Sequence, residues 1–62
     1  MKFKLNDKVC LQNEKTFADG KTIRAGSIGT ICDIYQIFQA YLVKFDGVGM
    51  PRMIADDELK AC

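Results

Sequence analysis

The chain contains no histidine and no tryptophan, a single proline, and no apolar run near the roughly 18 residues that a membrane helix requires. Without histidine the commonest general base is missing, and neither a nucleophile and base pair nor a G-x-S-x-G elbow can be assembled. The same absence restricts any structural zinc site to three cysteines and a carboxylate, a rare ligand set. Net charge is equally scarce: nine bases against eight acids leave +1, so no whole-molecule field draws the protein onto nucleic acid or an anionic membrane. No stretch carries an apolar stripe at helical spacing. The three cysteines, Cys10, Cys32 and Cys62, are odd in number and form no C-x-x-C pair. That count predicts reduced thiols rather than a disulfide framework and, with no signal-like apolar segment after Met1, a cytoplasmic protein.

What is present is the composition of one small folded domain, residues 1–62. Hydrophobic residues at 48% with 27% charged lie in the globular range. A chain this short buries only about 60% of the surface that its unfolded form exposes, so its stability is marginal and staples or partners, including further copies of itself, often supply the difference. Charge is unevenly placed. Residues 1–24 hold six bases and three acids, whereas residues 25–62 hold three bases and five acids, a polarity that can orient docking on a charged partner.

Polar and apolar residues alternate around Lys8-Val9-Cys10-Leu11-Gln12, with Val9 and Leu11 on one side, the period of a half-buried strand. Residues 13–25 are mostly polar around an Asp19-Gly20 turn signal, and they read as a long first loop pinned by Phe17 and Ile23. The β-branched run Gly29–Tyr35 predicts a second strand. Its Ile31 and Ile34 are three apart, which strict alternation forbids, so a bulge belongs near Cys32 or Asp33. After a short connection at Gln36–Gln39, Ala40–Phe45 places Tyr41, Val43 and Phe45 on one face and ends at the turn pair Asp46-Gly47. Met50–Ile54 predicts a strand, confined by Pro51 to an edge or a strand start. Asp56-Asp57-Glu58 predicts one helical turn with Asp56 as its N-cap, and Lys60–Cys62 a last short strand. Together these elements predict an all-β fold, a small SH3-like barrel of four to five short strands with a long first loop and a terminal helical turn.

Candidate functional residues are few. Gly26-Ser27-Ile28-Gly29 lacks the lysine and following helix of a phosphate-binding loop, and the expectation is that both glycines adopt backbone angles that a side chain resists. The acids Asp56, Asp57 and Glu58 read as a solvated turn rather than a metal or acid-base site, and neither Cys32 nor Cys62 has an obvious basic sequence neighbour to activate it. These absences predict a protein that is not an enzyme and holds no cofactor or metal. Ile37, Phe38, Val48 and Met50 fall in predicted loops, where with Arg52 they form a partner-binding surface, or where Phe38 and Met50 simply cap the two open ends of the barrel. Tyr35, Phe38, Lys44 and Arg52 are the alternative set, aromatic platforms beside cations for a nucleic-acid strand.

The segments Lys8-Val9, Phe17–Lys21, Gly26–Ile31, Tyr41–Phe45 and Asp57–Leu59 together resemble the SH3-like accessory barrels. Among these the chain looks most like the NifZ-type nitrogen-fixation accessory proteins, and it is also similar to the variable chain of ferredoxin:thioredoxin reductase and to the small stromal barrel protein of photosystem I. The resemblance implies a non-catalytic adaptor or accessory subunit that docks on a larger protein, in several of these families a metallo- or redox enzyme. Gly49-Met50-Pro51-Arg52-Met53 matches none of them. A KOW-like nucleic-acid-binding barrel and a phage-type inhibitor of a host protein are the alternatives.

Overall fold

The computed structural model describes residues 1–62, as seven antiparallel strands and two 3-10 turns. The strands are β1 (Lys8–Leu11), β2 (Lys15–Thr16), β3 (Thr22–Ile23), β4 (Ile28–Tyr35), β5 (Ala40–Phe45), β6 (Arg52–Ala55) and β7 (Leu59–Ala61). The first 3-10 turn, Gln36–Phe38, joins β4 to β5, and the second, Asp56–Glu58, joins β6 to β7. Five strands form one sheet in the order β6-β5-β4-β1-β7, and β2 and β3 form a separate hairpin.

Alternation decides which side chains face inward. Val9 and Leu11 of β1 and Tyr41, Val43 and Phe45 of β5 are buried, and they join Ile23, Ile31, Ile54 and Leu59 in one cluster. The β4–β5 register runs Ile31 to Val43 and then Asp33 to Leu42, so Cys32 is the extra residue of a bulge. The bulge resets the phase of β4, letting Ile34 as well as Ile31 turn toward the core. The polar excursion contains the β2–β3 hairpin, closed at its tip by Phe17 N–H to Lys21 O at 2.8 Å and Gly20 N–H to Phe17 O at 2.9 Å. Phe17 and Ile23 pack this hairpin onto the core.

The expected barrel and the observed sheet differ at the seam: β6 and β7 are edges and share no ladder. Some of the outward groups at each edge are occupied or missing. Asp56 N–H donates to Gln39 O, so by the antiparallel alternation Arg52 and Ile54 face β5 while Met53 and Ala55 face out. Ala55 N–H is taken by Glu58 Oε1 at 3.0 Å, and Pro51 has no N–H to offer. On β7, Leu59 N–H donates to Asp56 O, and Leu59 O accepts from Gln12 Nε2 at 2.7 Å and Lys2 Nζ at 3.1 Å. These contacts interrupt the row of free groups that a further strand would pair with.

Three local expectations need correction. Gly26 does adopt a left-handed conformation, at φ +84°, but Gly29 does not; it is glycine for lack of space, since a Cβ there would lie 2.6 Å from Val43 Cγ1 and 3.1 Å from Lys44 O. Gly29→Ala therefore overpacks the β4–β5 contact and is expected to lose about 1–3 kcal/mol in urea denaturation. Asp56 is not the N-cap of its turn. Ala55 holds that position, and the Asp56 carboxylate is drawn away by Tyr41.

The third correction concerns the thiols. Cys10 and Cys62 form a disulfide with Cα atoms 5.3 Å apart, and only Cys32 is free. An odd count hides one bridge and one leftover thiol as readily as three thiols. Because disulfides persist in oxidising surroundings, the cysteine count no longer points to a reducing cytoplasm.

Candidate docking site

The two loops expected to form one partner-binding surface lie at opposite ends of β5. The Gln36–Phe38 turn precedes Ala40, and the Gly47–Pro51 loop follows Phe45; a six-residue strand separates them by roughly 20 Å. Each end has its own cleft, so the five expected residues divide into two groups.

At the first end Ile37 and Phe38 occupy the apex of the 3-10 turn with 92% and 70% of their surfaces exposed. Neither caps the core. The chain reverses here because Gln39 is left-handed at φ 49°, ψ 49°, a conformation that costs a side-chain-bearing residue about 1 kcal/mol. Two hydrogen bonds hold it: Gln39 N–H to Gln36 O at 3.1 Å and Asp56 N–H to Gln39 O at 2.8 Å. The apolar apex is thus an ordered feature, tied to the second 3-10 turn. Between them Phe38, Gln39, Ala55, Asp56 and Asp57 line a shallow cleft of about 230 Å³.

Behind this cleft Tyr41 ties three parts of the chain together. Its buried hydroxyl donates to Asp56 Oδ1 at 2.5 Å and accepts from Phe3 N–H at 3.0 Å. The Phe3 ring meets the Tyr41 ring edge-on at 5.7 Å. Burial, and then the neighbouring Asp56 carboxylate, push the Tyr41 hydroxyl above its ordinary pKa of 10.0. The Tyr41 hydroxyl, with Lys2 behind it, holds Asp56 below the ordinary aspartate value. Asp56 is therefore an anion at neutral pH. Asp57 is exposed beside it, and neither forms a salt bridge; the two salt bridges of the fold are Lys15–Glu58 and Arg52–Asp19.

At the other end Val48, Met50 and Arg52 do come together, around a second cleft shared with Asp19, Lys21 and Gly49. Val48 packs on the core, whereas Met50 is 68% exposed. Arg52 is committed within the fold: its Nη2 donates to Asp19 Oδ2 at 2.8 Å and its guanidinium lies 4.7 Å from the Phe17 ring centroid. It clamps the hairpin tip onto β6.

The alternative set does not converge either. Tyr35 and Phe38 lie near the first end, while Lys44, toward the far end of β5, turns its ammonium onto the carbonyls of Phe45 and Val48. With Arg52 paired to Asp19, both cations of that set are engaged internally. No group of three or more His, Cys, Asp or Glu side chains is placed to hold a metal ion, and no helix is long and apolar enough to cross a membrane.

No family model, curated protein or solved structure matches this chain. The site has to be read from its own chemistry. Two of its features lay outside the reach of local sequence patterns, the Asp56–Tyr41 bond and the Arg52–Asp19 pair, because each joins residues brought together only by the register of the sheet.

The carboxylates give the fold a defined pH response. Arg52 lowers Asp19, Tyr41 lowers Asp56, and at Glu58 burial acts upward but is outweighed by Lys15 and the Ala55 N–H. All three lie below the ordinary values of 3.8 for aspartate and 4.5 for glutamate. Their stabilisation is complete above those values and is lost as pH falls through the lower folded ones. Urea midpoints should hold level from about pH 5 to 8, where no histidine titrates, and fall progressively below about pH 4. Tyr41, shifted the other way, adds a loss above its ordinary value of 10.0.

Proposed function

We propose that this chain is a non-catalytic docking module, an accessory or adaptor domain that binds a larger protein through the Ile37–Phe38 apex. The observation that carries the reading is the apex itself: two consecutive large apolar side chains, 92% and 70% exposed, on a turn held by hydrogen bonds. Leaving such side chains in water forgoes roughly 1.5–3 kcal/mol each, and exposed apolar groups rimmed by polar ones mark contact surfaces. Asp57, exposed and in no salt bridge, supplies the rim beside the apex, with the Asp56 carboxylate behind it held by Tyr41 and Lys2. The partner that fits presents an apolar pocket with a lysine or arginine next to it.

An SH3-like barrel, opened at one seam, is the fold reading we favour. Support comes from a strand order that sets β1 between β4 and β7, from the hairpin folded within the first loop, and from the 3-10 turn before the last strand. The sequence resemblance to accessory barrels is what supports the narrower proposal of an accessory subunit on a metallo- or redox enzyme, with an inhibitor docking on a host protein as the alternative.

The paired substitution Ile37→Ser, Phe38→Ser tests the apex. Both side chains are outside the core, so the melting temperature should change little while co-purification of the partner is lost. Met50→Ser, at the far end of β5, should leave it intact. Equal retention by all three proteins would reject the apex as the contact.

A further inference from the structure

We propose that the Cys10–Cys62 disulfide is a redox latch on this docking cleft, whose reduction releases β7 and loosens the second 3-10 turn. The consequence for docking rests on the function proposed above; the latch itself rests on topology. Val9 and Leu11 point into the core, so Cys10, between them, belongs to the outer face of β1, opposite Lys60 in the ladder. Cys62 follows β7 directly and is exposed. Cys10 itself is only 8% exposed, so the bridge is approached from its exposed Cys62 half, outside the core cluster.

The element that this bridge retains is the weakest of the five-stranded sheet. Strand β7 has three residues, pairs only with β1, and contributes one core side chain, Leu59. Strands β4 and β5, by contrast, are flanked on both sides and are longer. No residue separates β7 from the turn Asp56–Glu58. That turn supplies Asp56 and Asp57 to the cleft, and through Asp56 N–H it holds Gln39 in its left-handed conformation. Slack introduced at Cys62 is thus passed along the five residues Asp57–Ala61 to Asp56, the support of the apex.

The reductant is a dithiol, small or carried by a protein. One of its thiolates attacks the Cys62 sulfur, and the Cys10 sulfur leaves as a thiolate that takes up a proton. The second thiol of the reductant then displaces Cys62 as a thiol. The bridge gains two electrons and two protons, and the reductant ends as its own disulfide.

Amide hydrogen exchange by NMR, on the isotope-labelled Cys32→Ser chain without any partner, tests the latch. Cys32 is exposed, and its replacement removes the third thiol. Oxidised protein is compared with protein reduced by dithiothreitol, at low temperature. The loss of global stability on reduction speeds the core amides Ile31 and Val43 as well, and release of β7 should raise exchange at Leu59 and Lys60 by at least about tenfold more than at those core positions. Unchanged exchange at Lys60 overturns the proposal, as does the same fold-acceleration at Lys60 as at Ile31 and Val43, which would show that reduction lowers global stability without releasing β7. Mass spectrometry showing no gain of two hydrogens on reduction overturns it as well. Because no partner is present, this outcome and that of the Ile37→Ser, Phe38→Ser comparison are read independently.

Discussion

Reducing the Cys10–Cys62 bridge, or replacing Cys62 with serine, is expected to lower the stability of the domain by about 2–4 kcal/mol. The half-cystines are 52 residues apart, so the bridge closes nearly the whole chain and removes much of the freedom of its unfolded ensemble. The loop-closure model places the upper end near 4 kcal/mol for a loop of this length. A domain of this size holds only roughly 3–9 kcal/mol in total. With each kcal/mol worth about 4–8 °C, the melting temperature should fall on the order of 10–30 °C. Thermal denaturation with and without reductant, in the Cys32→Ser background, measures the shift. The fold should survive reduction at low temperature, because the nine-residue core cluster draws only Leu59 from β7.

Tyr41→Ala is the second large effect. Its ring is fully buried in the centre of β5, and truncating a buried aromatic leaves a cavity that costs about 3–5 kcal/mol. Tyr41→Phe separates the two contributions. It keeps the ring and its edge contact with Phe3 but strips the hydroxyl from Asp56 and from Phe3 N–H. The Asp56 carboxylate and the Phe3 N–H are each left short of a partner, and the expected loss is about 1–3 kcal/mol. Combining Tyr41→Phe with Asp56→Ala should cost less than the sum of the two single changes, since each removes the same bond. Urea unfolding of the four proteins measures this coupling. Strict additivity would mean that the hydroxyl and carboxylate act separately.

Much of the scaffold is legible locally because its signals are local. Tyr41, Val43 and Phe45 alternate, and the strand they predict ends at Phe45 as observed. The three-residue spacing of Ile31 and Ile34 requires a bulge, and Cys32 provides it. Pro51 forbids a central strand, and β6 starts one residue later at an edge. What is not legible depends on pairing across the chain. Neither half-cystine carries a local mark of the other. Asp56 has the chemistry of an N-cap, but a three-residue 3-10 turn leaves its carboxylate free to reach a buried tyrosine instead.

The candidate site was half legible for the same reason. Ile37 and Phe38 stand out as apolar residues in a turn, and they are exposed. Joining them to Val48, Met50 and Arg52 overlooked the length of Ala40–Phe45, a strand that by itself sets the two loops apart. Arg52 looked free because its partner, Asp19, sits at the tip of a hairpin that sequence periodicity leaves as a loop.

Site-specific photo-cross-linking in the native cell tests docking at the apex most directly. A photoreactive phenylalanine analogue is placed at position 38 and, for comparison, at position 50 in the opposite cleft. The apex account predicts a discrete protein adduct from position 38 that position 50 does not form. No adduct at 38, or the same adducts from both positions, would contradict it.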